Sequence, residues 1–379
     1  MNVKETVSPV QMSTLFFSFM TGSAIINIPG PLIGVAKNGA WLSLLISCSF
    51  GFLILACILY LHEKYPGDTY IDYAKKMLGP WLTALLSVPF ILYMCQMASG
   101  IVLDAGLFLS TTMMKKTPII VFNAFTFTLI AFTVRAGIEV MVRMFTNLIL
   151  IMLFFVFIVM LLSIPNYHPD YIMPIMPEGI KPVLHGAYFS FGFPYAEAFL
   201  FAMLLAFVKK NPDNKNSVNR WMFIALLLNT LLLISSVICV IFVAGPVAGD
   251  VKYSLYMVAR LIDFQDIIQR IESIIGMTLI AGSYMKATVA LFVLNLTLTR
   301  LFGLQDDRLL IFPLALINLF LSVVMYDSEI QWYEIVSNIW PLWNVVAGFV
   351  PLLLLTLIAC IKNSSKKSGS NGPKAPSEG

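Results

Sequence analysis

Apolar residues in this 379-residue chain come in runs of about 20, separated by short polar stretches, and the pattern holds from residue 10 to residue 361. A helix needs about 20 residues to cross the roughly 30 Å hydrocarbon core of a bilayer, so each run predicts a transmembrane helix. Ten spans fit, at 10–36, 41–61, 81–111, 118–134, 141–164, 182–208, 221–244, 271–301, 309–326 and 335–361. The polar N-terminal segment is short, and the first run is too long and too interrupted for a cleavable signal, so the first span is expected to be retained. Between spans, residues 69–78 alternate Tyr70, Ile71, Tyr73, Ala74 and Leu78 with Asp72, Lys75 and Lys76. That pattern predicts a short amphipathic helix lying on the cytoplasmic membrane surface. Residues 250–270 mix Tyr253, Leu255, Tyr256, Val258, Leu261 and Ile262 with charges, which predicts an external helical segment, either a cap over a site or a packed connector. The polar, Gly/Ser/Pro-rich stretch 362–379 has the composition of a disordered cytoplasmic tail.

Two runs are broken in the middle. The first carries Met20-Thr21-Gly22-Ser23-Ala24 and then Pro29-Gly30-Pro31; the sixth carries Phe191-Gly192-Phe193-Pro194-Tyr195-Ala196-Glu197. Unwound backbone at membrane depth is tolerated only beside protein or a cavity, and paired breaks in two halves of a chain mark a binding site in transporter folds. The predicted architecture is therefore an all-α polytopic membrane protein, residues 1–361, with ten transmembrane helices in a five-plus-five inverted repeat. Repeat one spans about 10–164 and repeat two about 182–361. The first span enters from one side and the sixth from the other, so the breaks face each other at the midplane. Sixteen of the 24 Lys and Arg residues fall on the side of the termini, which predicts cytoplasmic termini.

Composition narrows the function classes. With 59% apolar and 12% charged residues the chain lies far from the roughly 25% charge of a soluble domain. Five cysteines, an odd number, all in or at the end of apolar runs, predict no disulfide framework, and three scattered histidines predict no metal site. A net charge of +4, mostly beside the membrane, gives no sign of nucleic-acid binding. No phosphate-binding loop, nucleophile elbow, zinc motif or dinucleotide turn occurs, so neither an enzyme nor a cofactor is predicted.

Counting about 1.5 Å per helical residue puts Gly22, Glu197 and Lys286 near the bilayer centre. An ionised side chain there costs about 2.5–3.5 kcal/mol, so Glu197 and Lys286 should face a cavity or each other. Their pairing is either a ligand-linked element or a purely structural lock. Gly22, Ser23 and Ala24 let a ligand or another helix approach the backbone closely. Phe193, Pro194 and Tyr195 at the second break offer apolar walls and a hydroxyl. On the third span Tyr93, Met97 and Gly100 share a face that suits a pocket wall or a helix seam, with Asp104 one turn further out as an entrance or gating acid.

Gly39-Ala40-Trp41, Tyr65-Pro66-Gly67 leading to Leu78-Gly79-Pro80-Trp81, Gly137-Ile138-Glu139 before Arg143, Tyr195-Ala196-Glu197, Arg270-Ile271-Glu272-Ser273 and Leu301-Phe302-Gly303 follow one another along the chain. In their order and spacing these motifs resemble the B subunit of the nutrient germinant receptors of spore-forming bacteria, over about residues 8–361. The resemblance implies the amino acid/polyamine/organocation transporter superfamily with its LeuT-like fold. It also implies a receptor in the spore inner membrane that senses a small nutrient, often an amino acid, beside a membrane A subunit and a lipoprotein C subunit. The implied pocket involves Gly22 to Ala24, Tyr93, Met97, Phe193 to Glu197, and Met285 with Lys286. Ser23-Ala24 stands where such transporters often carry another glycine, and Lys286 is outside the recognised motif. A proton-coupled amino-acid transporter of the same fold is the main competing expectation, and an ion-conducting component is a third.

Overall fold

The polar lead-in to the first apolar run is what starts its helix. In the computed structural model of the protein, which describes residues 5–209, 215–262, 271–326 and 328–369, Gln11 N–H donates to the Ser8 hydroxyl at 3.2 Å and Ser8 N–H donates to the Gln11 side chain at 2.9 Å. This reciprocal cap, with Pro9 where a missing N–H is harmless, begins α1 (Pro9–Thr21). The chain breaks at Gly22 and resumes as α2 (Ala24–Asn27) and α3 (Pro29–Ala36). Then come α4 (Ala40–Lys64), α5 (Tyr70–Leu78), α6 (Pro80–Phe108), α7 (Ile119–Ala136) and α8 (Ile138–Leu162). The second half has α9 (Ile180–Ser190), a break, α10 (Phe201–Leu204), α11 (Lys215–Ala244), α12 (Ser254–Arg260) and α13 (Glu272–Phe302). It closes with α14 (Ile311–Val324), α15 (Glu329–Glu334), α16 (Trp340–Asn344) and α17 (Val350–Gly369), the last three joined by single wide turns.

Nine helical stretches among the described residues are long and apolar enough to cross a membrane. The exception to the ten predicted is 309–326, where α14 has 14 residues, about 21 Å. Asn295 Nδ2 donates to the Asp307 carbonyl at 2.6 Å, which pins the turn before α14 and delays its start.

Burial orders the bundle. The two interrupted stretches and α13 are 78%, 83% and 78% enclosed by protein, against 28% for α7 and for α8, so the breaks lie at the centre and α7 and α8 on the lipid-facing rim. α1 packs on α8, α11 and α13, and α13 also packs along α6. At the end that holds the termini, residues 5–7 strap the bundle. Val7 N–H donates to the Phe207 carbonyl at 2.9 Å, Lys209 N–H donates to the Val7 carbonyl at 2.9 Å, and Glu5 accepts from the Ile138 N–H at 2.7 Å.

Three expectations need correction or bounds. The amphipathic helix forms as α5, but its apolar face is not laid on lipid: Tyr70, Ile71, Tyr73 and Ala74 are buried, and α5 packs on α6, α13 and α17. Lys75 explains the docking, since its ammonium reaches the Arg300 and Leu301 carbonyls, at 2.8 and 3.1 Å, that the end of α13 leaves open. The predicted external segment contains α12, while residues 263–270 of it lie outside the described residues. Helix α17 carries on past 361, where irregular chain was expected, to Gly369; residues 370–379 of the predicted disordered tail lie outside the described residues.

Candidate functional site

The break after Thr21 exists where α1 crosses α13 with no side chain between them. A Cβ on Gly282 would lie 2.4 Å from the Gly22 carbonyl carbon and oxygen, and one on Gly22 would lie 2.8 Å from the Gly282 carbonyl oxygen. Gly22 is therefore small for helix packing, the alternative the sequence left open. Lys286 sits one turn along α13 from Gly282 and so arrives at the same level.

The second break is held open by the last helix. Phe193 is extended (φ −145°, ψ 110°), and Pro194 has no N–H to give. The Gly192 carbonyl, left without a helical partner, accepts from Asn344 Nδ2 at 3.1 Å, and Asn344 Oδ1 accepts from the Tyr93 hydroxyl at 2.7 Å. Asn344 thus ties α6, the break and α16 together. Asn344→Leu is expected to cost about 1–2 kcal/mol of stability, the range for buried interhelical hydrogen bonds, seen as a lower melting temperature in detergent.

Beyond the break Glu197 and Lys286 form an ion pair, with Glu197 1% and Lys286 0% exposed. Glu197 Oε1 accepts from Trp340 Nε1 at 3.1 Å. Among the described residues the Lys286 ammonium makes no hydrogen bond beyond Glu197 and instead lies over the Phe193 ring, 3.8 Å from its centre, with the Phe19 ring at 5.3 Å. Cation–π attraction partly replaces the missing water there.

In front of the pair is a cavity of about 70 Å³, room for several waters or one small solute. Its walls are stripes at helical spacing. Ser23, Asn27 and Pro31 come from the first interrupted span, Met97, Ile101 and Asp104 from α6, and Phe189, Phe193 and Glu197 from the second break. Trp332, Tyr333, Val336, Ser337 and Trp340 come from the last span, and Lys252 from the segment before α12.

Of the predicted site residues, Ser23, Met97, Phe193, Glu197 and Asp104 line this cavity. Gly22, Ala24, Tyr93, Pro194, Tyr195, Met285 and Lys286 are buried but outside its lining. Tyr93 stands behind the wall, stacked on Trp340 at 4.6 Å. Tyr195 points the other way, its hydroxyl donating to Thr230 at 2.9 Å.

Asp104 is 5% exposed, at the hub of a network. It accepts from Asn27 Nδ2 at 2.6 Å, Tyr253 at 3.3 Å and Trp332 Nε1 at 3.4 Å, and it pairs with Lys252 at 2.9 Å. Lys252 also pairs with Glu329 at 3.1 Å. Burial alone would lower the pKa of Lys252, but Asp104, Tyr253 and Glu329 more than reverse this and raise it, so the residue stays a cation.

A family described as "Spore germination protein" matches residues 6–330. The chain belongs to the spore germination protein family. Spore germination protein KB of Bacillus subtilis (strain 168) is 24% identical to it over 376 residues, covering 98% of this chain and 99% of that one. The motif resemblance to germination receptors is borne out. Among solved structures, a Na+-coupled sialic acid symporter in a substrate-bound, outward-open state matches with TM-score 0.69 at 11% identity, over 94% of this chain and 82% of that one. A nucleobase-cation-symport-1 family transporter, closed with bromovinylhydantoin bound, matches with TM-score 0.63 at 13% identity, over 91% and 78%. At such identities the likeness shows the fold alone: an all-α membrane protein of the LeuT-like transporter type.

Proposed function

We propose that this spore germination protein is the nutrient-sensing B subunit of a germinant receptor, which binds a small molecule such as an amino acid in the cavity between its two helix breaks. The observation that carries this reading is the cavity itself, walled by both interrupted spans, α6 and the last span, with a buried ion pair behind it. Ser23, Met97, Phe193 and Glu197 meet the ligand in this reading. Gly22, Ala24, Tyr93, Pro194, Tyr195, Met285 and Lys286 support the wall from behind, and Asp104 guards the mouth.

The architecture in this reading is ten spans in a five-plus-five inverted repeat, with α14 as the shortened ninth and cytoplasmic termini in the spore inner membrane. A membrane A subunit and a lipoprotein C subunit receive the signal. Ligand shifts the balance between two bundle conformations, which requires tighter binding to one of them. The transporter-like fold keeps one rival in play, a proton-coupled amino-acid permease.

Trp332 and Trp340 line the cavity, so titrating the purified protein with an L-amino-acid panel is expected to give a saturable change in tryptophan fluorescence. Ser23→Leu, which fills the cavity, is expected to abolish both that change and nutrient-triggered germination at normal protein level. Proteoliposomes are expected to show no sustained uptake of the bound amino acid. Sustained uptake favours the permease, and a Ser23→Leu protein that still responds removes the pocket.

A further inference from the structure

The cavity wall falls into two pieces at the end away from the chain termini. One piece is α2 and α3 with the segment 245–253. These are fused backbone to backbone: a Cβ on Gly30 would lie 2.2 Å from the Val251 carbonyl oxygen, and one on Gly34 would lie 2.9 Å from that of Gly249. No side chain separates α3 from this segment at those two glycines, which favours their moving as one piece. The other piece is α6 with α15, joined by the Trp332 to Asp104 hydrogen bond at 3.4 Å.

Polar contacts to two carboxylates, Asp104 on α6 and Glu329 on α15, cross from the first piece to the second. Lys252 reaches Asp104 at 2.9 Å and Glu329 at 3.1 Å; Asn27 reaches Asp104 at 2.6 Å and Tyr253 reaches it at 3.3 Å. Asn27, Asp104, Lys252 and Trp332 all line the cavity, so parting these contacts opens it. We propose that the segment 245–253, fused to α3, is a lid over the cavity mouth, and that Lys252 is its fastener, bridging Asp104 and Glu329 in the closed state.

The chemistry suits a closure that must release. Lys252 is 21% exposed at its side chain and Glu329 38%, so water is at hand to solvate both ends when they part. Lys252 is shared by two acids, and leaving one does not strand its charge. A buried pair such as Glu197–Lys286 has neither property. The purpose of the lid rests on the cavity being the ligand site, but its motion is measurable without any ligand.

The test places a reporter thiol in the cavity, Ser337→Cys, with the five native cysteines replaced, in protein reconstituted in lipid nanodiscs. The probe is the methanethiosulfonate carrying an ethyltrimethylammonium group. Labelling is expected to be slow in this background and faster by about tenfold or more in Lys252→Met, the change set by one charge-assisted hydrogen bond. Lys252→Arg, which keeps the charge, is expected to stay nearer the parent rate. Glu329→Gln retains the Asp104 contact and gives an intermediate rate, which keeps the test available if Lys252→Met fails to fold. Rates within twofold of the parent in Lys252→Met, or in Glu329→Gln where only that variant folds, would overturn the lid. That outcome with amino-acid binding intact leaves the pocket standing, whereas faster labelling with no ligand binding removes the pocket and leaves the lid.

Discussion

Lys286→Met alone is expected to destabilise the protein by about 3–5 kcal/mol, the usual consequence of leaving one member of a buried ion pair uncompensated. The carboxylate of Glu197 would keep only the Trp340 hydrogen bond while 1% exposed. Glu197→Gln with Lys286→Met removes both charges and keeps an acceptor for Trp340. Because the desolvation of both ions disappears together, the double variant is expected to regain most of the lost stability. Thermal unfolding in detergent across the four proteins of the cycle measures this. Full additivity of the two single losses would show that the charges are not coupled, against the geometry seen here.

The same four proteins separate structure from sensing. If the pair is only a lock between the second break and α13, the double variant recovers germination along with stability. If Glu197 meets the ligand, stability returns and the nutrient response does not. The second outcome is expected, because Glu197 lines the cavity while Lys286 lies behind it. Spore germination at matched protein abundance is the readout.

Much of this arrangement was legible in the chain. Span length, the two breaks and the unusual depth of Glu197 and Lys286 are set by the cost of polar groups in lipid, which leaves a strong trace in one dimension. That these two charges pair follows from the same cost. What stayed hidden depends on side-chain direction. Tyr195 and Glu197 are neighbours at one break, yet both lie on the helical backbone that resumes after Phe193, where residues two apart face different ways, so Glu197 faces the cavity and Tyr195 faces Thr230.

Asn27 could have been found, since Ser23, Asn27 and Pro31 recur at intervals of four along the first interrupted span and form one wall. Trp340 and Asn344 carried no such signal. Aromatic residues are common in lipid-facing spans, and an asparagine that satisfies a carbonyl on a distant helix has no local partner to betray it. The apolar face of α5 misled for a related reason: amphipathicity reports that a face is buried, not whether lipid or protein buries it. Lys252 counted only as an external positive charge, and its two acids lie 148 residues before it and 77 after it in the chain.

The strongest test of the central crossing is Gly282→Ala. A single methyl at that position would come 2.4 Å from two backbone atoms of Gly22 and 2.9 Å from the Ser23 nitrogen. Backbone cannot rotate out of the way as a side chain can, so α1 and α13 would have to separate. The expected cost is at or above the roughly 3 kcal/mol upper end for overpacking. Gly276, six residues earlier on the same helix, supplies the control: a methyl there would first meet the tip of Met113 at 2.2 Å, a flexible side-chain end, and then the Phe108 ring at 3.0 Å. Gly276→Ala is therefore expected to lose less than Gly282→Ala in the same melting experiment. Separation of the crossing also carries Lys286, one turn along, away from Glu197, so Gly282→Ala should abolish the amino-acid fluorescence response as well as lower the melting temperature. Equal stability of the two alanine variants would mean that the first break is not held against α13.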